Sequence, residues 1–182
     1  TGASVHVGPY RTRGTARFTK HMNRSIRRYW LGIVLSFIFF IVGVVTIYDY
    51  GLNIDEPIHF IRGQAYLSFL LTGRKEYSPK DLTGKRISAW KIQQYNATYF
   101  LKNDSGHPAF NGILAAGTNR IFFEKLGVLG DLASYHLFEI VVSSFLVLVG
   151  FVMTAQYAGT FGGAVASLSV MLYPLFFGES RF

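Results

Sequence analysis

The sequence predicts an all-α integral membrane protein with three transmembrane helices and a long external first loop. Three stretches without a charged side chain, a basic N-terminal segment, and a composition that is 50% hydrophobic and 15% charged support this class. About 20 apolar residues in a helix, at roughly 1.5 Å per residue, cross a hydrocarbon core of about 30 Å. Three such stretches in 182 residues make buried helices of a soluble domain the weaker alternative.

The first transmembrane helix is predicted over residues 29–48, because the chain carries no charge from Trp30 to Tyr48. A signal peptide is the alternative, but its apolar core is shorter and ends in a small-residue cleavage site. The preceding residues 1–28 contain seven Lys or Arg and no acid, which places this tail in the cytoplasm by the positive-inside rule. Its low apolar content predicts a disordered tail.

Two further uncharged stretches follow each other closely near the end of the sequence and predict a helical hairpin. The predicted segments are transmembrane helices at residues 137–157 and 159–178, an external loop at residues 49–136, and the start of another external loop at residues 179–182. The external position of these loops follows from the cytoplasmic N-terminus. The predicted location is a cell membrane.

The net charge of +8 does not indicate a nucleic-acid partner. Seven of the 18 basic residues lie in the tail beside the first span, where they orient the helix and attract anionic lipids. The external loop is nearly balanced, with ten basic and eight acidic residues. Cysteine is absent, so this sequence contains neither a disulfide framework nor a cysteine-based zinc site.

An acidic run at the outer end of the first span is the most informative local feature. Asp55, Glu56 and His59 stand where a site can reach both a lipid-borne and a water-soluble substrate. Apolar residues recur at helical spacing from this point, and they are Ile58, Ile61, Ala65 and Phe69. We therefore predict an amphipathic helix that lies on the membrane.

The same helix has a recognisable start and end. Asp55, His59 and Arg62 share a polar face, Pro57 suits the first turn, and Gly73 is a plausible stop. A simpler role for Asp55 is to cap the helix, which contributes about 1 kcal/mol. Capping and catalysis are compatible roles for one carboxylate.

The second half of the external loop contains a possible anion site. Residues 74–103 have no strong periodicity and predict a surface lid or irregular loop. A second helix is predicted to start near Pro108, and the N–H groups of such a start favour an anion. His107 would add a donor or a positive charge. The alternative is a turn histidine that binds no ligand.

The order of these elements resembles the integral-membrane glycosyltransferases of the C-type fold. In particular, it is similar to the N-terminal part of the dolichyl-phosphate-mannose protein mannosyltransferase-like superfamily, over residues 28–182. The matching elements are Asp55-Glu56 with His59, the segment Asp104-Ser105-Gly106-His107-Pro108, and Tyr173-Pro174-Leu175-Phe176-Phe177-Gly178-Glu179-Ser180. Because family members are longer and have more spans, the resemblance implies that this chain is a fragment, which by itself would be inactive.

The resemblance implies an activity and a role for each motif. The expected enzyme moves a sugar from a polyprenyl-phosphate donor to an acceptor hydroxyl on a lipid, glycan or protein at the outer membrane face. Asp55 would be the catalytic base and Glu56 an assisting or metal-side carboxylate. The substrate-binding residues would be His107, Pro108, Arg62, His59, Lys102 and Asp104, with His107-Pro108 near the donor phosphate. Ala109 departs from the family pattern, which has a second proline there.

Two alternatives stay open. Asp55 and Glu56 are also possible ligands of a divalent metal ion such as Mg or Mn, although neighbouring helical residues point about 100° apart. The other alternative is a noncatalytic transporter or channel subunit whose external loop binds a partner. A transporter places ionisable residues inside its spans. The three uncharged stretches, residues 30–48, 140–157 and 159–178, contain no Asp, Glu, His, Lys or Arg.

Overall fold

The computed structural model describes residues 13–103 and 108–179 of the chain. These residues are mostly helical, at 74%, and contain no strand, which confirms the all-α prediction. The helices are α1 Arg13–Val45, α2 Glu56–Thr72, α3 Ala97–Asn103, α4 Phe110–Asn119, α5 Asp131–Leu172 and α6 Pro174–Glu179. A short 3-10 helix spans Pro79–Leu82, and a π-helical segment spans Arg120–Lys125.

Helix α1 starts earlier than the sequence predicted. Residues 13–28 were expected to be disordered, yet their backbone forms the first half of α1. Residues 1–12 of the predicted tail lie outside the described residues. The expectation of disorder is therefore wrong for residues 13–28, because the helix begins at Arg13 and runs without a break into the apolar stretch.

Helix α5 reverses direction at Gly159, whose φ of 70° and ψ of −176° are non-helical. The Ser167 hydroxyl donates a hydrogen bond to the Val147 carbonyl at 3.1 Å. In one continuous helix these residues would be about 30 Å apart, so residues 131–158 and 160–172 form two antiparallel arms. The chain turns where the sequence predicted the link between two apolar segments.

Helix α1 packs along the first arm of α5. The Ser36 hydroxyl donates to the Ser144 carbonyl at 2.6 Å in this contact. Two residues beyond the end of α1, Ile47 is buried in a cluster with residues of α5, namely Ala133, Leu137 and Ile140. Helix α6 returns to α1, where the Phe176 ring lies 5.8 Å from the Phe39 ring.

Within the described residues, one helix is long and apolar enough to cross a membrane, namely Asp131–Leu172, whose most apolar stretch of 18 residues has a mean hydropathy of 2.3. Tyr29–Val45 is a shorter apolar helix. Three transmembrane helices are therefore not confirmed and stay a prediction.

The described residues between α1 and α5 are 46–103 and 108–130, and two of the buried apolar clusters contain residues of α2. Each side chain from Phe60 to Ala65 is buried, including Arg62 at 4% exposure. The prediction that Arg62 lies on an exposed polar face is thus wrong, because α4 and the segment after α2 cover this part of α2. The position of α2 on the membrane stays a prediction. The predicted stop is confirmed, since Gly73 has φ of 70° and its N–H bonds the Phe69 carbonyl at 2.8 Å.

Two glycines let α2 and α4 cross at backbone contact. A Cβ on Gly63 would lie 2.1 Å from the carbonyl oxygen of Gly112, and a Cβ on Gly112 would lie 2.7 Å from the carbonyl oxygen of His59. The first turn of α4 is therefore held against the first two turns of α2.

Residues 74–103 are largely irregular, as predicted, but they are not a detached surface lid. Tyr77 and Phe100 of this segment are buried in one cluster with Ile61 and Ala65 of α2. The segment is part of the core because its aromatic side chains supply apolar area that the short helices lack.

Candidate functional site

A pocket of about 210 Å³, here called the acidic pocket, lies between α2, α4 and α5. Its titratable side chains are Glu56, His59, His136 and Glu139. The rest of its wall consists of Phe60, Asn111, Gly112, Ala115 and Tyr135. Because His136 and Glu139 directly precede the uncharged stretch of α5, the acidic pocket lies at the edge of the apolar part of the molecule.

Glu56 is the first residue of α2 and is 6% exposed. Its Oε1 atom lies 3.1 Å from His136 Nε2, which is an ion pair when the imidazole is protonated, although the two groups are not oriented as a hydrogen bond. Its Oε2 atom accepts a hydrogen bond from the Asn53 N–H at 2.8 Å. A buried carboxylate is costly without such partners, so the turn before α2 and the imidazole of α5 together stabilise it.

His136 and Glu139 reach the acidic pocket from the same face of α5, since they are three residues apart in a helix. His136 is 1% exposed, and its ring centroid lies 6.3 Å from that of Phe60. Glu139 is half-buried. The pocket therefore brings two carboxyl groups and two imidazoles together, the group types that accept and donate protons near neutral pH.

Asp55 occupies a different environment from Glu56. It stands at the N-cap position of α2, but its side chain makes no capping hydrogen bond. It is exposed and does not line the acidic pocket. Of the two predicted catalytic carboxylates, only Glu56 faces the pocket, because successive helical side chains point about 100° apart.

The predicted substrate-binding residues are not all gathered at this pocket. His59 lines it and is exposed. Arg62 lies within the core, 5.8 Å from the Phe100 ring centroid, and Lys102 is exposed at the end of α3. Asp104 and His107 lie outside the described residues.

The predicted second helix does reach the acidic pocket. It begins at Phe110, two residues after Pro108, and its first-turn residues Asn111 and Gly112 line the wall. The N–H groups of a helix's first turn have no intrahelical acceptor, so they are available to a ligand or to the neighbouring chain. The close crossing at Gly63 fixes this turn beside Glu56 and His59.

The residues suggested for a divalent metal do not fit one. Within the described residues, no group of three or more Cys, His, Asp or Glu side chains is arranged to hold a metal ion. Asp55 points away from the acidic pocket, so Glu56 would be its only contribution from that pair.

A buried polar network fixes the wall of the acidic pocket that Tyr135 forms. Gln64 of α2 donates to Asn119 Oδ1 at 3.1 Å and to the Tyr135 hydroxyl at 2.5 Å. Asn119 donates in turn to Asp131 Oδ1 at 2.7 Å, and Tyr135 bonds the Ser88 hydroxyl at 2.8 Å. The network ties α2, α4, α5 and the loop around Ser88 into one frame.

Sequence reasoning missed His136, Glu139 and Tyr135. Their local signal is short: a histidine and a glutamate three residues apart, immediately before the uncharged stretch that starts at Ile140. That spacing predicts a shared helical face, but it does not indicate which residues face it. Their partner Glu56 is 80 residues away in the chain, and only the fold brings them together.

Comparison of the chain with protein-family models, with curated proteins and with solved structures gives no match.

Proposed function

We propose that this protein is a membrane glycosyltransferase that moves a sugar from a polyprenyl-phosphate donor to an acceptor hydroxyl at the outer membrane face. The buried Glu56–His136 pair, which opens on the acidic pocket at the edge of the apolar helices, is the observation that carries the proposal. A site at this level is within reach of a substrate whose tail lies in the membrane and whose head lies in water.

The exposed surfaces of the apolar helices support the membrane part of the proposal. Phe37 of α1, Phe145 of the first arm of α5 and Phe161 of the second arm are all exposed. Large apolar side chains exposed along several helices mark contact with lipid or with other helices. We infer that α1 and both arms of α5 lie in the membrane, with the N-terminus cytoplasmic and residues 49–136 outside.

The proposed reaction uses one proton and one displacement. The acceptor hydroxyl loses its proton to the Glu56 carboxylate while its oxygen bonds to the anomeric carbon of the sugar. The bond between that carbon and the phosphate oxygen breaks, and its electron pair leaves with the lipid phosphate. His59 and the first-turn N–H groups at Asn111 are placed to stabilise the developing phosphate charge.

His136 acts in this proposal as a positioning residue for Glu56. Its Nε2 atom lies 3.1 Å from one carboxylate oxygen, and the Asn53 N–H bonds the other oxygen, so the two groups together orient the base in the acidic pocket. Glu139, on the same wall, completes the polar lining toward the apolar end. We place the base at Glu56 rather than at Asp55 because Asp55 lies outside the pocket.

Transfer of radiolabelled sugar from a polyprenyl-phosphate donor, measured in membranes that contain the protein, tests the proposal. Glu56→Gln removes the proton acceptor with little change in size, so we expect transfer to fall by about 100-fold or more. Asp55→Asn is the matched control and should leave the rate close to that of the unmodified protein. Glu56→Asp, which keeps a carboxylate, should retain part of the activity.

The other outcomes are equally informative. Loss of transfer in Asp55→Asn alone would move the base to Asp55. Unchanged transfer in both variants would show that these carboxylates do not carry the reaction. Absence of transfer with every donor tried would favour the noncatalytic alternative, a transporter or channel subunit with a partner-binding external loop.

A further inference from the structure

A second pocket of about 220 Å³ lies among residues 80–125, and none of its residues belongs to the acidic pocket. We call it the basic pocket. Five of its lining side chains are cationic, and they are Lys80, Arg86, Lys91, Arg120 and Lys125. Its two acidic side chains are Asp81 and Glu124. Two stretches far apart in the chain, residues 80–91 and 120–125, supply these residues, so the fold brings the charges together.

Both carboxylates of the basic pocket already have partners. Glu124 pairs with Lys91 at 2.6 Å, and both side chains are largely buried. Asp81 pairs with Arg74 at 3.3 Å and accepts from the Ser78 N–H at 2.7 Å. The negative charge of Asp81 and of Glu124 is therefore balanced by these neighbouring groups.

Four cations of the basic pocket keep their charge unneutralised. In the part of the chain that the structure describes, no carboxylate lies within 4.0 Å of the basic groups of Lys80, Arg86, Arg120 or Lys125. Like charges held close together repel one another, and an anion bound among them would relieve this repulsion.

The π-helical segment helps to build the basic pocket. The Leu126 N–H bonds the Ile121 carbonyl at 2.9 Å, five residues back, and the segment contains Arg120, Glu124 and Lys125. In such a wide turn, residues four and five apart lie over one another, so Arg120 and Lys125 share a side. Single π turns are rare and recur at functional sites.

Arg86 is held in place by the backbone that follows this segment. Its Nη2 atom donates to the Lys125 carbonyl at 3.2 Å. Gly127 has φ of 65°, and a Cβ there would lie 2.0 Å from Arg86 Nη1. The positive φ favours glycine at this position, and a side chain there would displace the guanidinium that rests against it.

We propose that the basic pocket binds the phosphate group of a ligand. Guanidinium groups match phosphate oxygens with paired hydrogen bonds, and the lysines add point charges around them. The exposed apolar side chains of Leu126 and Val128 adjoin the pocket in the chain, so a lipid headgroup is one source of the phosphate. A soluble phosphate ester is the other, and the proposal does not depend on glycosyl transfer.

Calorimetric titration of the purified full chain in neutral detergent tests the site. The soluble probe is inorganic pyrophosphate, and the lipid probe is short-chain phosphatidylglycerol with phosphatidylcholine as its neutral counterpart. We expect saturable binding of pyrophosphate, of phosphatidylglycerol, or of both. The double variant Arg86→Gln with Arg120→Gln should bind at least about tenfold more weakly, because two charge-assisted hydrogen-bonding groups are lost.

Two further variants separate a built site from general attraction by a basic surface. Lys85→Gln removes a neighbouring charge that does not line the basic pocket, and it should leave the dissociation constant almost unchanged. Gly127→Ala keeps every charge but displaces Arg86, and it should weaken binding.

Three results would overturn the proposal. The first is that the unmodified protein binds neither probe. The second is that Lys85→Gln weakens binding as much as the double variant does, and the third is that the double variant binds with unchanged affinity and has an unchanged melting temperature. Binding of pyrophosphate alone would identify a soluble phosphate ester as the source. Binding of phosphatidylglycerol alone would identify a lipid headgroup.

Discussion

Glu56 and Asp55 show how much one helical step decides. Both carboxylates lie at the start of α2, and either could have faced α5. Glu56 turns inward to within 3.1 Å of His136, whereas Asp55 stays exposed at the N-cap without a capping bond. Local spacing gives the angle between the two side chains, but the contact with α5, which comes much later in the chain, decides which one is buried.

Asp81 supports a prediction about pH. Its pKa is lowered chiefly by the hydrogen bond from the Ser78 N–H, with smaller contributions from the Ser78 hydroxyl, Arg74 and Lys91. A lowered pKa means that the folded state favours the carboxylate, so this stabilisation is fully present above the unfolded pKa of about 3.9. It is lost as the pH falls through the folded pKa.

Asp81→Asn should therefore lower the free energy of unfolding at pH 7, by about 1 kcal/mol, as loss of a helix cap does. The exposed ion pair with Arg74 adds little to this value. Thermal denaturation in neutral detergent between pH 3 and pH 7 measures the effect, roughly across the range in which the carboxylate titrates. The loss of unfolding free energy in Asp81→Asn should shrink as the pH falls. Glu76→Gln, a change at an exposed glutamate, is the control and should show no such trend. A loss that does not depend on pH would contradict the role of the Asp81 carboxylate.

Among the elements, the crossing of α2 and α4 carries the greatest packing constraint. The two helices meet backbone to backbone at Gly63 and Gly112, and this contact places the first turn of α4 at the acidic pocket. Neither glycine was singled out from the sequence, because a glycine within a helical pattern is compatible with many environments.

Gly63→Ala should lower the free energy of unfolding by about 3 kcal/mol, since its Cβ would meet a carbonyl oxygen that cannot move without the helix. Gly117→Ala in α4 is the matched control, because a Cβ there meets nothing within 4 Å. It should be neutral or stabilise the helix by up to about 1 kcal/mol. Melting temperatures in detergent compare the two, and equal effects would show that the crossing is looser than described.

At the scale of the whole molecule, the proposed topology makes a prediction that the composition helps to test. The chain has no cysteine, so a single introduced cysteine is labelled without background. Lys75 lies in the predicted external loop, residues 49–136, and Thr19 lies in the basic tail, so each is replaced by cysteine in a separate variant. A membrane-impermeant maleimide should label Lys75→Cys in intact cells and Thr19→Cys only after permeabilisation.

The reverse pattern of labelling would invert the orientation. Labelling of both cysteines in intact cells would place the tail and residues 49–136 on the same side, which the three-span arrangement does not allow. Equal amounts of protein in the membrane fraction are the control for both variants.

Sequence predicted the features that depend on neighbouring residues. The α-helical class, the end of α2 at Gly73, the start of a helix near Pro108 and the reversal next to Ala158 all have local causes. Features that depend on distant residues escaped it. The acidic pocket joins α2 to α5, and the burial of Arg62 follows from the packing around α2, so neither leaves a pattern in a short window.

Helix α5 joins the acidic pocket directly to the apolar arms. From His136 to Ser144 the helix is continuous, and eight residues at about 1.5 Å each set a separation of roughly 12 Å. The height of the acidic pocket above the contact between Ser144 and α1 is thus a fixed length rather than the reach of a flexible tether. If α5 lies in a bilayer as proposed, the thickness of that bilayer selects which part of a lipid-borne molecule arrives beside Glu56.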